Sequence, residues 1–184
     1  MSFIKEIDSQ RELDNNNREF FVGYHGCEFG PCYIVICGER IAGFGFLSNR
    51  SKEEVLRRLA KNFPEASIKE SNTGTASKLA KALEAFKNGT VKEDLKLLIK
   101  GTPLQRAVWK TLLRIPRGKT NSYRDIARAV NKPRAMRAIG TAIGRNPIGL
   151  LIPCHRVINS DGTLGGFHYG PEVKKLILDS ELKD

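Results

Sequence analysis

Apolar positions along this chain follow two periods. Between residues 20 and 47 they gather in short β-rich runs, Phe20 to Tyr24, Cys32 to Cys37 and Ile41 to Leu47, parted by Gly26, Gly30-Pro31 and Gly38-Glu39. Runs of that length between turn formers predict an antiparallel meander. From Ser51 the period lengthens to that of a helix. Ser51 and Glu54 form a capping box ahead of Val55, Leu56 and Leu59, so a helix is expected to run to about Asn62, before Pro64. Leu79, Leu83 and Phe86 share the face of a second helix ending near Gly89, and Val91 to Lys100 leads out as linker or edge strand.

Beyond residue 100 the pattern is mostly helical. Thr102-Pro103-Leu104-Gln105 supplies an N-cap, a proline at the first helical position and a glutamine at the third, ahead of Val108, Leu112 and Ile115 on one face. Pro116 and Gly118 stop that helix. Ser122 and Asp125 cap the next, Tyr123 to Val130, which Asn131-Lys132-Pro133 ends. A third helix, Arg134 to Arg145, is expected to bury Met136, Ile139 and Ile143. Its other positions, among them Ala135, Arg137, Ala138, Gly140, Thr141 and Gly144, are small or basic. Two short helices across a tight turn predict a helix-turn-helix whose second helix lets another backbone come close. Two core helices packed through glycine and alanine are the competing reading. Pro171 opens a last helix on which Val173, Ile177 and Glu181 share one stripe, a costly place for a carboxylate without a partner. The fold class is therefore α/β (α+β) with two domains: residues 1–98 a small antiparallel sheet with helices, residues 99–184 mostly helical and winged-helix-like.

Composition narrows the class. A chain of 184 residues with 40% hydrophobic positions suffices for a folded core. The apolar runs are far shorter than the roughly 18 residues a membrane helix needs, and Met1 to Asn17 is polar rather than signal-like. No membrane partner and a cytoplasmic location, nuclear in a eukaryote, are expected. Cys27, Cys32, Cys37 and Cys154 then count as reduced thiols. The net charge of +11 is uneven: residues 1–100 carry 16 Lys and Arg against 14 Asp and Glu, the remainder 15 against 6. Between Gly101 and Ser160 the only acid is Asp125. So one-sided a segment favours a polyanion, usually nucleic acid, over a basic face kept for solubility.

Candidate chemistry sits at Pro153-Cys154-His155-Arg156-Val157, directly after the apolar run Ile148 to Ile152. A thiol of pKa near 8.5 is only about 3% ionised at neutral pH, so a nucleophilic cysteine needs a base or a cation close by. On an extended strand neighbouring side chains point apart. Cys154 and His155 can cooperate only through a backbone turn, which Pro153 favours, or through a bridging water. Further on, Asn159-Ser160-Asp161-Gly162 predicts a turn, and Gly165 to Gly170 a glycine-aromatic loop able to close over a flat ligand. His25, Cys27, Cys32 and Cys37 are spaced more loosely than a paired Cys-x-x-Cys site, and alternation sets Cys32 and Cys37 on opposite sides of a strand. Buried strand cysteines rather than a metal are expected there, and Trp109 reads as core.

Gly101-Thr102-Pro103, Gln105, Val108-Trp109, Ile115-Pro116, Gly118, Thr120, Ser122-Tyr123, Arg137-Ala138, Gly144-Arg145-Asn146-Pro147 and the Pro-Cys-His-Arg-Val pentapeptide follow one another in order. Through them, residues 101 to about 182 resemble the O6-alkylguanine-DNA alkyltransferases, or methylated-DNA-protein-cysteine methyltransferases. Residues before Gly101 match only in style. The resemblance implies a DNA repair enzyme that needs no cofactor and acts as a monomer on the minor groove of double-stranded DNA. It would extrude O6-alkylguanine, with O4-alkylthymine as a second candidate substrate, and move the alkyl group irreversibly to Cys154 in a single turnover.

In that scheme Cys154 is the nucleophile, His155 the base through a water, and Glu181 the carboxylate that orients the imidazole. Asn146 supports the thiolate and fixes the turn before it, and Tyr123 donates a proton to N3 of the base. Arg137 fills the vacated stack, while Ser122, Ala135, Ala138, Gly140, Thr141 and Arg145 face the DNA. Val157, Ser160, Gly165, Phe167 and His168 line the base pocket. Met136, Phe167 and Leu104 stand where relatives often carry alanine, tyrosine and phenylalanine. Two other classes compete. A lesion sensor without transfer would lack the cysteine, and a small-molecule Cys-His-Glu hydrolase would leave Arg137 and the basic groove without purpose.

Overall fold

The computed structural model describes residues 6–8, 19–48, 51–88 and 95–183. Gly89, residues 91–94 of the expected linker and most of the polar stretch before residue 18 lie outside the described residues. The chain divides into two units, residues 1–100 and 101–184, two residues beyond the boundary expected at 98/99.

The first unit runs β1 (Glu6–Asp8), β2 (Glu19–Cys27), β3 (Gly30–Cys37), β4 (Arg40–Phe46), α1 (Lys52–Asn62), β5 (Ser67–Glu70), α2 (Asn72–Asn88) and β6 (Lys96–Leu98). The expected meander is its centre, with β2–β3 and β3–β4 antiparallel. The whole sheet is mixed, not antiparallel: its order is β1-β6-β4-β3-β2-β5, and β5 joins β2, and β6 joins β4 and β1, in parallel. A helix carries the chain back along the sheet, so each strand reached through one starts from the same end as its predecessor. Because β1 pairs along its other side, β6 lies inside the sheet between β1 and β4, and is no edge.

Phe20, Val22 and Tyr24 of β2 alternate onto one face, where Tyr33, Val35, Cys37, Val55 and Leu59 join them in a buried cluster. Ser51 caps α1, its Oγ accepting the Glu54 N–H at 3.3 Å. Where α2 approaches β2, Gly23 makes the contact possible: a Cβ there would lie 1.8 Å from Thr75 Oγ1. Thr75 is itself fixed, its hydroxyl donating to Ser71 O at 2.8 Å and lying 2.8 Å from His25 Nε2.

The second unit contains α3 (Pro103–Leu112), β7 (Asn121–Ser122), α4 (Tyr123–Ala129), α5 (Met136–Gly144), β8 (Val157–Ile158) and α6 (Pro171–Glu181). Both expected capping boxes form, Thr102 with Gln105 and Ser122 with Asp125. The turn from α4 to α5 is a Schellman motif. Asn131 takes the left-handed φ of 56° that asparagine tolerates, its N–H bonds Arg128 O, and the Lys132 N–H bonds Ala127 O. Pro133 then prevents continuation. Helix α5 begins two residues later than expected, and its buried stripe is Ile139, Ala142 and Ile143. Met136 was expected in that stripe but stands a turn before it, 38% exposed. Trp109 is core, as read, and its Nε1–H ties α3 to α5 by donating to Ala142 O at 2.9 Å.

Gly23→Ala should lower stability by about 1–3 kcal/mol, because the new methyl displaces Thr75 and with it the α2 contact. Urea denaturation of the purified variant measures this; an unchanged midpoint would show that α2 does not need the close approach.

Candidate active site

Cys154 sits in a 3-10 turn, Cys154–Arg156, entered through Pro153, and β8 starts only at Val157. The turning backbone is what the Cys-His pair needed. The apolar run before it is buried yet forms a bend in which Leu150 has φ +67°, a conformation that costs a residue with a Cβ about 1–2 kcal/mol. Asn146 holds that bend closed. Its Oδ1 accepts the Ile148 N–H at 3.0 Å, and its Nδ2 donates to Ile152 O at 2.8 Å and to Cys154 Sγ at 3.1 Å. One amide therefore fixes the strained loop and grips the sulfur.

Behind the thiol, His155 is fully buried and its Nε2–H donates to Glu181 Oε1 at 3.0 Å. The carboxylate on the apolar stripe of α6 thus has its partner, and it has more than the sequence reading found. Arg156 Nε donates to both oxygens at 3.0 and 3.1 Å, its Nη2 reaches Oε1 at 2.6 Å, and the Gly118 N–H donates to Oε2 at 3.1 Å. Arg156 Nη1 also caps Ile115 O at 2.6 Å. Burial alone would raise the Glu181 pKa, but the hydrogen bonds from His155 and Arg156 outweigh it and hold the group at about 2. Burial pushes His155 below its ordinary value against the pull of Glu181, leaving a neutral imidazole. Since its Nε2 carries the proton given to Glu181, Nδ1 is the nitrogen able to accept one. Burial likewise raises Cys154, which the Asn146 hydrogen bond and the Lys174 charge oppose.

Lys174 was not singled out from the sequence. It is fully buried on α6, donating to Val157 O at 2.6 Å, to Leu164 O, and to Gly166 O at 3.5 Å. Burial brings its pKa down to about 8, partly offset by Cys154. Lys174, Ile177 and Glu181 fall at i, i+3 and i+7, so the stripe that exposed Glu181 also carried this residue.

The two-residue parallel pair β7–β8 matches Asn121 with Val157 and Ser122 with Ile158, and so sets the start of α4 beside the Cys-His turn. Tyr123 consequently lines a cavity of about 220 Å³ together with Asn146, Cys154, Phe167, His168 and Tyr169. Its hydroxyl donates to Gly166 O at 3.3 Å, and burial followed by the Cys154 charge raises its pKa, keeping it protonated. Gly140 and Gly144 of α5 form another part of the wall. Of the expected pocket residues, Phe167 and His168 are there; Val157, Ser160 and Gly165 are not. Val157 is buried in β8 with its carbonyl taken by Lys174, Ser160 is exposed at the turn tip, and Gly165 packs against the Asn159 side chain.

The helix-turn-helix presents Arg124, Arg128, Lys132, Arg134, Arg137 and Arg145 to solvent, with Asp125 the exposed acid among them. Ala138 and Thr141 are exposed too, and Ser122 and Ala135 half-buried. A Cβ built on Gly140 or Gly144 would meet nothing within 4 Å. Their smallness is therefore not spent on internal packing, which removes the main support for the core-helix reading. Among the described residues no group of His, Cys, Asp and Glu could hold a metal; His25 is engaged with Thr75.

An α/β two-unit protein with a Cys-His-Glu constellation walled by an exposed, basic helix-turn-helix is the class that fold and site define. Comparison with known proteins narrows it. The family model for the 6-O-methylguanine DNA methyltransferase DNA-binding domain matches residues 103–183. The inducible methylated-DNA–protein-cysteine methyltransferase of Bacillus subtilis is 41% identical over 147 residues, 77% of this chain and 80% of that protein. The Methanosarcina barkeri methyltransferase is 50% identical over 103 residues, 55% of this chain; the match spans 65% of that protein, just under two thirds of its length. Mycobacterium tuberculosis OGT, solved in complex with DNA, has a TM-score of 0.67 at 31% identity, covering 88% of this chain and 92% of that one. The chain belongs to the methylated-DNA–protein-cysteine methyltransferase family.

The folded pKa of Glu181 near 2 lies below the unfolded value of about 4.3, so its contribution is complete above that value and fades as pH falls toward 2. Glu181→Gln should cost about 3 kcal/mol at pH 7, and less than half of that at pH 3. Urea unfolding at both pH values tests it; a gap that does not shrink in acid would mean that the carboxylate is not held ionised.

Proposed function

We propose that this protein repairs double-stranded DNA by moving the alkyl group of O6-alkylguanine to its own Cys154, once per molecule. The observation that carries the reading is the cavity itself. A gripped thiol forms part of its wall, an imidazole-carboxylate pair lies behind that thiol, and two glycines of an exposed basic helix complete the wall. The small residues along α5 suit close approach to a narrow minor groove, and the arginines around them suit phosphates.

The reaction follows from the charges. In the resting protein the thiol and the imidazole are both neutral, and Glu181 is ionised. With an extruded base in the cavity, His155 takes the Cys154 proton through a bridging water, and Glu181 stabilises the imidazolium. The thiolate, still held by Asn146, displaces the alkyl carbon from O6 in line. Negative charge developing on the purine is quenched by the Tyr123 hydroxyl at N3. Arg137 stacks into the gap left in the duplex, a task that suits a planar guanidinium. The thioether formed is stable, so the cysteine is not regenerated. O4-alkylthymine would present the same displaceable carbon in a smaller base.

DNA carrying radiolabelled O6-methylguanine should leave one label per protein on Cys154, and repeated turnover or label elsewhere would reject the mechanism. Cys154→Ala should abolish transfer and keep DNA binding. Arg137→Ala should slow repair of duplex by about tenfold or more while sparing reaction with free O6-benzylguanine, on the scale of about 1.4 kcal/mol per tenfold; equal losses would remove the stacking role. Affinity for duplex should fall steeply with salt, and a flat response would exclude the basic face as the contact.

A further inference from the structure

The first unit holds three cysteines, Cys27, Cys32 and Cys37, that the reaction above does not use. In the β2–β3 register His25 pairs with Cys32 and Cys27 with Gly30, so by strand alternation His25, Cys27 and Cys32 share one face. Cys27 stands half-buried at the end of the hairpin, and Cys32 is fully buried. The Cys27 S–H donates to Gly30 O at 3.2 Å, and the two thiols shift each other's ionisation in opposite directions. Cys37, by contrast, belongs to the cluster that contains Val55 and Leu59 of α1.

We infer that Cys27 and Cys32 form an oxidisable pair, in which a hydroperoxide attacks the half-exposed Cys27 and the buried Cys32 closes a disulfide across the hairpin. In the first step the Cys27 sulfur takes the terminal oxygen of ROOH and the O–O bond breaks. ROH leaves with the thiol proton, and Cys27, oxidised by two electrons, becomes a sulfenic acid. In the second step the Cys32 sulfur attacks the Cys27 sulfur. The S–S bond forms and water leaves, carrying the Cys32 proton. Only Glu28 to Pro31 lie between the two cysteines, and the hairpin already orders them, so closure needs little further ordering.

The electrostatics favour this order. The hydrogen bond from Cys32, acting against burial, brings Cys27 down to about 7, and the same bond raises Cys32. At neutral pH Cys27 therefore carries more thiolate than an ordinary thiol, which is about 3% ionised. Lower basicity returns part of that gain through weaker nucleophilicity, leaving a net advantage of about threefold. Cys154 is shifted the opposite way by its burial. An oxidant therefore meets Cys27 ahead of the single-use nucleophile. A pair of this kind is compatible with a reducing compartment, because thiols reverse it.

The test uses the full, reduced chain. It is treated with one equivalent of tert-butyl hydroperoxide at pH 7, quenched by alkylation and mapped by mass spectrometry. The expected result is a Cys27–Cys32 link lighter by two hydrogens, reversed by dithiothreitol, while Cys37 and Cys154 remain alkylatable. Oxidation of Cys154 or Cys37 ahead of the pair, or overoxidised and unlinked Cys27, would overturn the proposal. A second measurement does not depend on disulfide formation. Cys32→Ala should slow iodoacetamide labelling of Cys27 at pH 7 about threefold and move the midpoint of its pH profile up from about 7. In that variant dimedone should trap the Cys27 sulfenic acid after peroxide, and an unshifted profile counts against the pair.

Discussion

The site depends on an ionised carboxylate buried in the interior. Glu181 lies at the end of α6, and the groups that neutralise it come from elsewhere in the unit: His155 and Arg156 from the 3-10 turn, Gly118 from the connection after α3. Removing such an ion from water costs several kcal/mol, recovered only if its lone pairs are filled. Converging donors fill them, and their convergence is a geometric constraint. The last turn of α6, the α3–β7 connection and the Cys-His turn must occupy one register, and that register puts the thiol against Asn146.

The same carboxylate decides the resting protonation state. A buried histidine without an anion would be neutral and unoriented, and a carboxylate without Arg156 would gain a proton or draw one onto the imidazole. With both present, Glu181 stays charged, the imidazole stays neutral, and its tautomer is set by the Nε2–H···Oε1 bond. Cys154 is meanwhile raised by burial, so the nucleophile idles as a thiol. Idling suits a protein in which, on the proposed reaction, each sulfur is used once. Ionisation then coincides with occupation of the cavity.

Much of this was legible in the sequence, and the parts that were not share a cause. Caps are local, so Thr102-Gln105 and Ser122-Asp125 could be read directly and both form. Glu181 was legible because an acid on an apolar stripe demands a partner. The partner's own neighbour, Arg156, was hidden because a basic residue beside a histidine has no periodic signature. Lys174 was passed over as an ordinary helix lysine, although its place in the stripe of Ile177 and Glu181 argued otherwise. The mixed sheet escaped for a different reason: Ser67 to Glu70 is short and charged, and only a tertiary connection through a helix makes it a strand. Val157 was assigned to the pocket through the family resemblance, but the 3-10 turn sends the chain into β8 and turns that side chain to the core.

Helix α5 shows how the two halves of the site answer one another. Its buried side, Ile139, Ala142 and Ile143, is fixed from below by the Trp109 bond to Ala142 O, so the helix cannot settle toward the core. Its other side keeps glycine at 140 and 144, where a side chain would meet no protein atom. Glycine inside a helix lowers stability by roughly 0.5–1 kcal/mol relative to alanine at each position. Two such positions on the wall of the cavity that holds Cys154, with no internal contact to justify them, are explained if the missing volume belongs to something outside the chain. On the proposed function, the exposed arginines on either side suit an occupant of negative charge.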